Sequence, residues 1–137
     1  MKIGLIGGTF DPIHYGHLIL AEYVRESCKL DKVIFIPTGL PPHKDLSKVK
    51  DSETRLKMTK LGTNSNPYFQ VSDIETYRIG ISYTIDTLLE FKRLYPRDQI
   101  YFIMGADSLF DLSTWKDYQK IIQAVNLIAV NRPGGKN

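Results

Sequence analysis

Gly7-Gly8-Thr9-Phe10-Asp11-Pro12-Ile13-His14-Tyr15-Gly16-His17 follows a short apolar run, Ile3-Gly4-Leu5-Ile6, and precedes a helix-like stretch. It reads as the loop that leaves a first buried strand and opens a first helix. Such a junction is an anion site, because free backbone N–H groups and the positive end of the helix dipole face it. Gly7 and Gly8 let the backbone approach a phosphate with no Cβ in the way. His14 and His17 add two imidazoles three residues apart. They share a face if the helix has begun by His14, and both border its N-terminus if it begins near Gly16. A glycine pair also fits a plain tight turn, and two histidines also fit surface positions or a metal site. The fingerprint G-x-G-x-x-G is absent, so this is not the usual nicotinamide-cofactor loop. Glycines, a helix start and two imidazoles together favour a phosphate site.

Outward from that loop the pattern alternates. Strands are predicted at Lys2 to Ile6, Lys32 to Ile36, Tyr68 to Ser72, Ile100 to Met104 and Asn126 to Val130. Helices are predicted from about Leu18 to Cys28, Ser52 to Leu61, after a Ser82 cap, and from about Thr114 to Ala124. Ile81, Ile85, Leu88, Leu89 and Leu94 form the apolar stripe of the third helix. A long loop runs from Thr38 to about Asp51, and loops of that length tend to be functional. Strands alternating with helices predict a Rossmann-like open parallel sheet of about five strands with helices on both faces, an α/β fold. Ligands bind beyond the carboxyl ends of such strands, at the switch point. Gly7 and His14 follow the first strand, Thr38 and Lys44 the second, Gly105 and Asp107 the fourth.

The totals set bounds. At 137 residues the chain reads as one domain, long enough to bury a core without staples. Net charge is +3, which suits an anionic small molecule no less than nucleic acid and so does not choose between them. Cys28 is the only cysteine, so no disulfide framework and no Cys-rich zinc site is expected. With no signal peptide and no membrane-length apolar run, the expectation is a soluble cytoplasmic protein.

Gly8-Thr9-Phe10-Asp11-Pro12-Ile13-His14-Tyr15-Gly16-His17-Leu18 resembles the H-x-G-H signature of the nucleotidyltransferase superfamily. The Asp-Pro-Ile-His form is most similar to bacterial nicotinate-nucleotide adenylyltransferases. Pro37-Thr38-Gly39-Leu40-Pro41-Pro42-His43-Lys44, Ser82-Tyr83-Thr84-Ile85-Asp86-Thr87-Leu88, Gly105-Ala106-Asp107-Ser108-Leu109 with Trp115, and Arg132-Pro133-Gly134 agree with that family. The resemblance covers essentially the whole chain. It implies transfer of the adenylyl group of ATP to nicotinate mononucleotide, giving deamido-NAD and pyrophosphate.

The resemblance implies roles residue by residue. His14 and His17 contact the ATP phosphates, with His17 the stabiliser of the transferring group, and Lys44 is the third catalytic residue. Gly7, Gly8, Thr9, Phe10, Gly105 and Asp107 complete the ATP site. Thr38, Lys44, Tyr83, Thr84 and Trp115 form the nicotinate mononucleotide site. The chemistry agrees: a lysine reaches a phosphate as a point charge, and an indole stacks on a pyridine ring. Each residue also has a plainer reading. Lys44 fits a solvated basic loop, Trp115 a packing residue beside Leu112 and Tyr118, and Asp107 a helix cap. Arg55 reads as core-supporting or surface. Mg²⁺ is expected to enter with ATP, held by phosphates and water rather than by a protein site. A zinc site from His14, His17 and His43 fails on the missing thiolates.

The match stops at Arg132-Pro133-Gly134. The family continues with a strand and a helix carrying an Ile-Ser-Ser-Thr-x-x-Arg-like segment, absent before Asn137. A single nucleotidyltransferase domain over residues 1–137, shortened at its C-terminus, is therefore expected, with exposed apolar surface that favours homo-oligomers. Competing expectations are another H-x-G-H enzyme (a phosphopantetheine adenylyltransferase or a cytidylyltransferase) and a nucleotide-binding fragment without catalysis. No basic, aromatic-rich nucleic-acid surface is evident.

Overall fold

The computed structural model describes residues 1–39 and 51–131. Strands β1 (Lys2–Gly8), β2 (Lys32–Pro37), β3 (Phe69–Val71), β4 (Gln99–Gly105) and β5 (Asn126–Val130) form one sheet in the order β3-β2-β1-β4-β5. Every pairing is parallel. Helices α1 (Tyr15–Ser27), α2 (Ser52–Thr63), α3 (Thr84–Leu94), α4 (Ala106–Asp111) and α5 (Tyr118–Ala124) connect the strands, with a 3₁₀ turn at Leu112–Thr114. The Rossmann-like α/β fold expected from the sequence is the fold observed.

Side-chain alternation along the inner strands divides the core in two. Ile3 and Leu5 of β1, Ile34 and Ile36 of β2, and Ile100, Phe102 and Met104 of β4 face one layer. There they meet Ile85, Leu88 and Phe91 of α3 and Ile121 of α5. Ile6, Val33, Phe35 and Ile103 face the other layer, against Ala21 and Val24 of α1. Inner strands buried on both faces read as continuous apolar runs, which is why β1, β2 and β4 stood out in the sequence. Each such side chain, fully buried, contributes about 1.5–3 kcal/mol of transfer free energy. At Gly4 a Cβ would lie 2.8 Å from Leu30 Cδ1 and 3.0 Å from Ile103 Cδ1, so those two side chains pack where one would stand.

Three local expectations need correction. Ser82 does not cap α3; Tyr83 is the N-cap residue and makes no side-chain cap bond, while Ser82 is buried. Ile81, Leu89 and Leu94 are about half exposed, so the buried stripe is Ile85, Thr87, Leu88 and Phe91. The helix expected over Thr114 to Ala124 is broken: the 3₁₀ turn ends at Thr114, Trp115 is extended, and α5 starts at Tyr118. Helix α4 was not anticipated. It buries no residue, so it carries no apolar period for a sequence reading to detect. Residues 40–50 of the expected long loop lie outside the described residues. Among the described residues no helix is long and apolar enough to cross a membrane.

Glu22 ties α1 to the segment before β3. It accepts from the Arg25 guanidinium and from Asn66 Nδ2 at 2.6 Å. The Arg25 hydrogen bond holds the Glu22 carboxyl below its ordinary value of 4.5 against the opposing effect of burial, and Asn66 adds to the lowering. This stability is present above the unfolded carboxylate's value and is lost as pH falls through the folded one. Glu22→Gln is expected to flatten that part of the acid limb when urea midpoints at about pH 6 and about pH 3 are compared. Leu88→Ala is expected to lower unfolding free energy by about 2–5 kcal/mol, and Leu89→Ala by under about 0.5–1 kcal/mol, in urea denaturation.

Candidate functional site

The sheet opens a crevice where the strand order reverses. Pairing of β1 with β4 ends at Ile6↔Ile103, yet the strands run on to Gly8 and Gly105. On its other side β1 stays paired with β2 as far as Gly8↔Pro37. Backbone groups past Ile6 on the β4 side are thus released at the carboxyl end of the central strand. Gly7 is exposed there, and a Cβ on it would meet only the Ile36 carbonyl at 3.8 Å.

Phe10 shapes the loop from below. Its φ is +49°, a left-handed backbone that costs a side-chain-bearing residue about 1–2 kcal/mol. Burial of its ring, 3% exposed, offsets that cost. The ring stands edge-on to His17 at 5.0 Å and beside Phe35 at 5.8 Å. It also lies 2.9 Å from where a Gly8 Cβ would be. The Phe10 side chain is therefore a support for His17, and only its backbone remains for a ligand.

The two histidines form the cap of α1. His14 is the N-cap residue, and its Nδ1 accepts from the Gly16 N–H at 3.1 Å. His17 sits one turn in, and its Nδ1 accepts from the His14 N–H at 3.1 Å. The helix begins at Tyr15, and the reciprocal bonds make a capping box built from imidazoles. The rings stack with centroids 3.8 Å apart and 29° between planes. An accepting Nδ1 assigns the proton of each neutral ring to Nε2. The stack therefore carries two Nε2–H donors at a positive helix end, which is the donor set an anionic oxygen needs.

Beside this cradle the loops from β1 and β2 are joined. The Thr38 N–H donates to the Gly8 carbonyl at 2.9 Å. Arg55, on α2, is 2% exposed and donates to the carbonyls of Thr9 at 3.0 Å, Thr38 at 2.6 Å and Gly39 at 3.1 Å. Burial pulls its guanidinium below the ordinary value, and the charges of Asp11, Asp51 and Glu75 work against that pull. Thr38 Oγ1 and Ser82 Oγ are buried hydroxyls with no hydrogen-bond partner among the described residues, and Ser82 Oγ is 3.3 Å from where a Gly39 Cβ would lie. Unpaired buried hydroxyls beside a crevice are acceptors and donors for a ligand or water.

The other expected residues sit around the rim. Gly105 is the N-cap of α4, and Asp107, exposed in its first turn, is not the cap. Tyr83 and Thr84, both half-buried, start α3, with Lys116 Nζ 4.5 Å from the Tyr83 ring centroid. Trp115 packs edge-on against Phe102 at 6.2 Å and is half-buried, so the packing reading holds for part of its surface and leaves the rest accessible. Lys44, His43 and Arg132 lie outside the described residues. Among the described residues no group of three or more His, Cys, Asp or Glu side chains is arranged to hold a metal ion. Of the two readings of Arg55, core-supporting and surface, its burial agrees with the first. The places of Ser82 and Glu75 beside Gly39 carried no sequence signal, while Arg55 shares the buried face of α2 with Leu56 and Thr59.

A parallel sheet with a histidine-capped helix at its switch point is the arrangement of α/β proteins whose ligand sites lie beyond the carboxyl ends of the strands. The family model described as cytidylyltransferase-like matches residues 5–135, and the chain belongs to that family. It is 53% identical over 98% of its length to a probable nicotinate-nucleotide adenylyltransferase of Thermoanaerobacter sp. (strain X514), covering 64% of that protein. It is also 53% identical over 97% of its length to a probable nicotinate-nucleotide adenylyltransferase of Moorella thermoacetica, covering 62%. The chain thus spans under two thirds of the length of these relatives. Its fold matches that of Plasmodium falciparum nicotinic acid mononucleotide adenylyltransferase complexed with NaAD. The TM-score is 0.79 at 19% identity, over 96% of this chain and 75% of that one.

His14→Ala removes a cap acceptor and is expected to lower unfolding free energy by about 0.5–2 kcal/mol. His14→Asn, a strong N-cap residue, is expected to recover most of that loss. Urea denaturation of the two variants checks both.

Proposed function

We propose that this chain is the nucleotide-binding and catalytic domain of an adenylyltransferase acting on MgATP and nicotinate mononucleotide. The observation that carries the reading is the stacked His14–His17 pair at the start of α1, on the connection that leaves β1 after its pairing with β4 stops. The names of relatives 53% identical to the chain support the choice of acceptor.

A phosphate oxygen of nicotinate mononucleotide attacks the α-phosphorus of ATP. The bond from that phosphorus to the oxygen bridging α and β breaks, and pyrophosphate leaves with the electron pair. The products are deamido-NAD and pyrophosphate. No protein nucleophile is required, so the protein's work is positioning and charge stabilisation. The Nε2–H donors of His14 and His17 and the backbone of Gly7, Gly8, Thr9 and Phe10 hold the phosphates. Gly105 and Asp107 border the ribose side of ATP. Thr38, Tyr83, Thr84 and Trp115 take the nicotinate mononucleotide; the unpaired Thr38 hydroxyl and the accessible part of the indole fit that role. Lys44 supplies a further positive charge to the phosphates. Mg²⁺ enters with ATP, held by its phosphates and water. The setting is the cytoplasm, with small molecules rather than nucleic acid as partners.

Pyrophosphate release from MgATP is measured with nicotinate mononucleotide, with its nicotinamide analogue, with CTP in place of ATP, and with no acceptor. Release dependent on ATP and nicotinate mononucleotide is the expected result. Silence both in this chain and in a version extended past residue 137 overturns the proposal, and release with CTP redirects it to cytidylyl transfer. His17→Ala is expected to reduce kcat by about 10²–10³-fold, the usual effect of removing one transition-state donor.

A further inference from the structure

We infer that Arg55 is a positioning residue, which from the first turns of α2 locks the loop leaving β1 against the loop leaving β2. It thereby sets where the histidine stack lies relative to the second loop. Its catalytic consequence rests on the adenylyl transfer proposed above.

The guanidinium bridges segments far apart in sequence. Nη1 donates to the Thr9 carbonyl, in the loop that leads to the histidines, and to the Thr38 carbonyl, just past β2. Nη2 donates to the Gly39 carbonyl and to Ser52 Oγ at 3.3 Å. One rigid planar fork therefore spans both loops and the start of its own helix. A lysine ammonium, a point charge, has no such fixed geometry.

Gly39 is gripped from its other side as well. Its N–H donates to Glu75 Oε1 at 3.3 Å, and Glu75 Oε2 accepts from Thr87 Oγ1 of α3 at 2.7 Å. Arg78 Nη1 donates to the same Thr87 hydroxyl at 3.0 Å. A Cβ on Gly39 would fall 2.3 Å from the Glu75 carbonyl oxygen, so the backbone there is boxed in. The Gly39 peptide thus connects a buried cation to a buried carboxylate and links α2, both loops and α3.

A buried arginine is expensive in desolvation, and one whose bonds serve only packing is replaceable by apolar side chains. Here the guanidinium donates to the backbone carbonyls of Thr9, Thr38 and Gly39, in the two loops, besides Ser52 Oγ. In-line transfer requires two phosphate-bearing substrates to be held to within a fraction of an ångström, and a shift of about 1 Å costs about 10²-fold in rate. A tie between the two loops sets that spacing.

The test uses the full-length protein with Arg55→Lys and Arg55→Met. Amide exchange at residues 9–11 and 38–39 is compared with exchange at 100–104, and pyrophosphate release is measured with both substrates varied. Arg55→Lys is expected to keep its far-ultraviolet spectrum and to exchange about tenfold faster in the two loops alone. Its kcat is expected to fall by about tenfold or more, with KM for MgATP changed by less than about threefold. Lower thermal stability with loop exchange and kcat both within about twofold of wild type overturns the inference and leaves a purely structural role. Faster loop exchange with unchanged kcat overturns the catalytic part. If both variants fail to fold, Glu75→Gln loosens Gly39 from the opposite side and decides the question by the same split. Silence of the wild type in the pyrophosphate assay removes the adenylyl reading and not the tie, which loop exchange then decides.

Discussion

The constraint on which the molecule depends is the burial of β1 from Ile3 to Ile6. It is the middle strand of the sheet, hydrogen-bonded on both sides and packed on both faces. From Ile3 to Ile6 its backbone is paired with both neighbours, so polar chemistry is possible only towards its ends. At the carboxyl end the partner β4 lets go first while β2 holds on. The crevice is the direct result of that unequal pairing, and strands on either side of β1 deliver their loops to it.

Two kinds of unsatisfied backbone group then meet. The start of α1 presents N–H groups, and the imidazoles of His14 and His17 use one nitrogen each to satisfy part of that need. One pair of side chains therefore caps the helix, and Phe10, with its left-handed backbone, packs against His17 from the core. The loops also present carbonyl oxygens, one at Thr9 after β1 and two at Thr38 and Gly39 after β2, and the buried Arg55 collects all three. Imidazole acceptors therefore answer the N–H groups of the helix start, and a guanidinium donor answers the carbonyls shared by the two loops.

Much of this was readable in the chain. The apolar runs of β1, β2 and β4 identify themselves because both faces are buried, and Gly7-Gly8 followed by His14 and His17 marks a phosphate-type junction. Where local pattern and tertiary packing disagree, the reading failed for identifiable reasons. Leu89 and Leu94 are apolar yet exposed, since α3 lies on the sheet through Ile85, Leu88 and Phe91. Ser82 has the chemistry of an N-cap, but the chain turns into α3 one residue later and buries the hydroxyl beside Gly39. Helix α4 buries nothing and so has no periodic signal.

By itself the sequence determined the α/β class, the stretches that form the inner strands and the identity of the histidine junction, because those rest on contacts between near neighbours and on hydrophobic period. The tertiary structure alone decided that the histidine rings stack, that pairing with β4 ends before pairing with β2, and that Arg55 belongs to the crevice rather than to the surface. Arg55 reaches the Thr9 carbonyl across 46 residues of chain and the Thr38 carbonyl across 17. A buried charge is tolerated only where folding brings enough acceptors to it, and no local window of sequence contains that information.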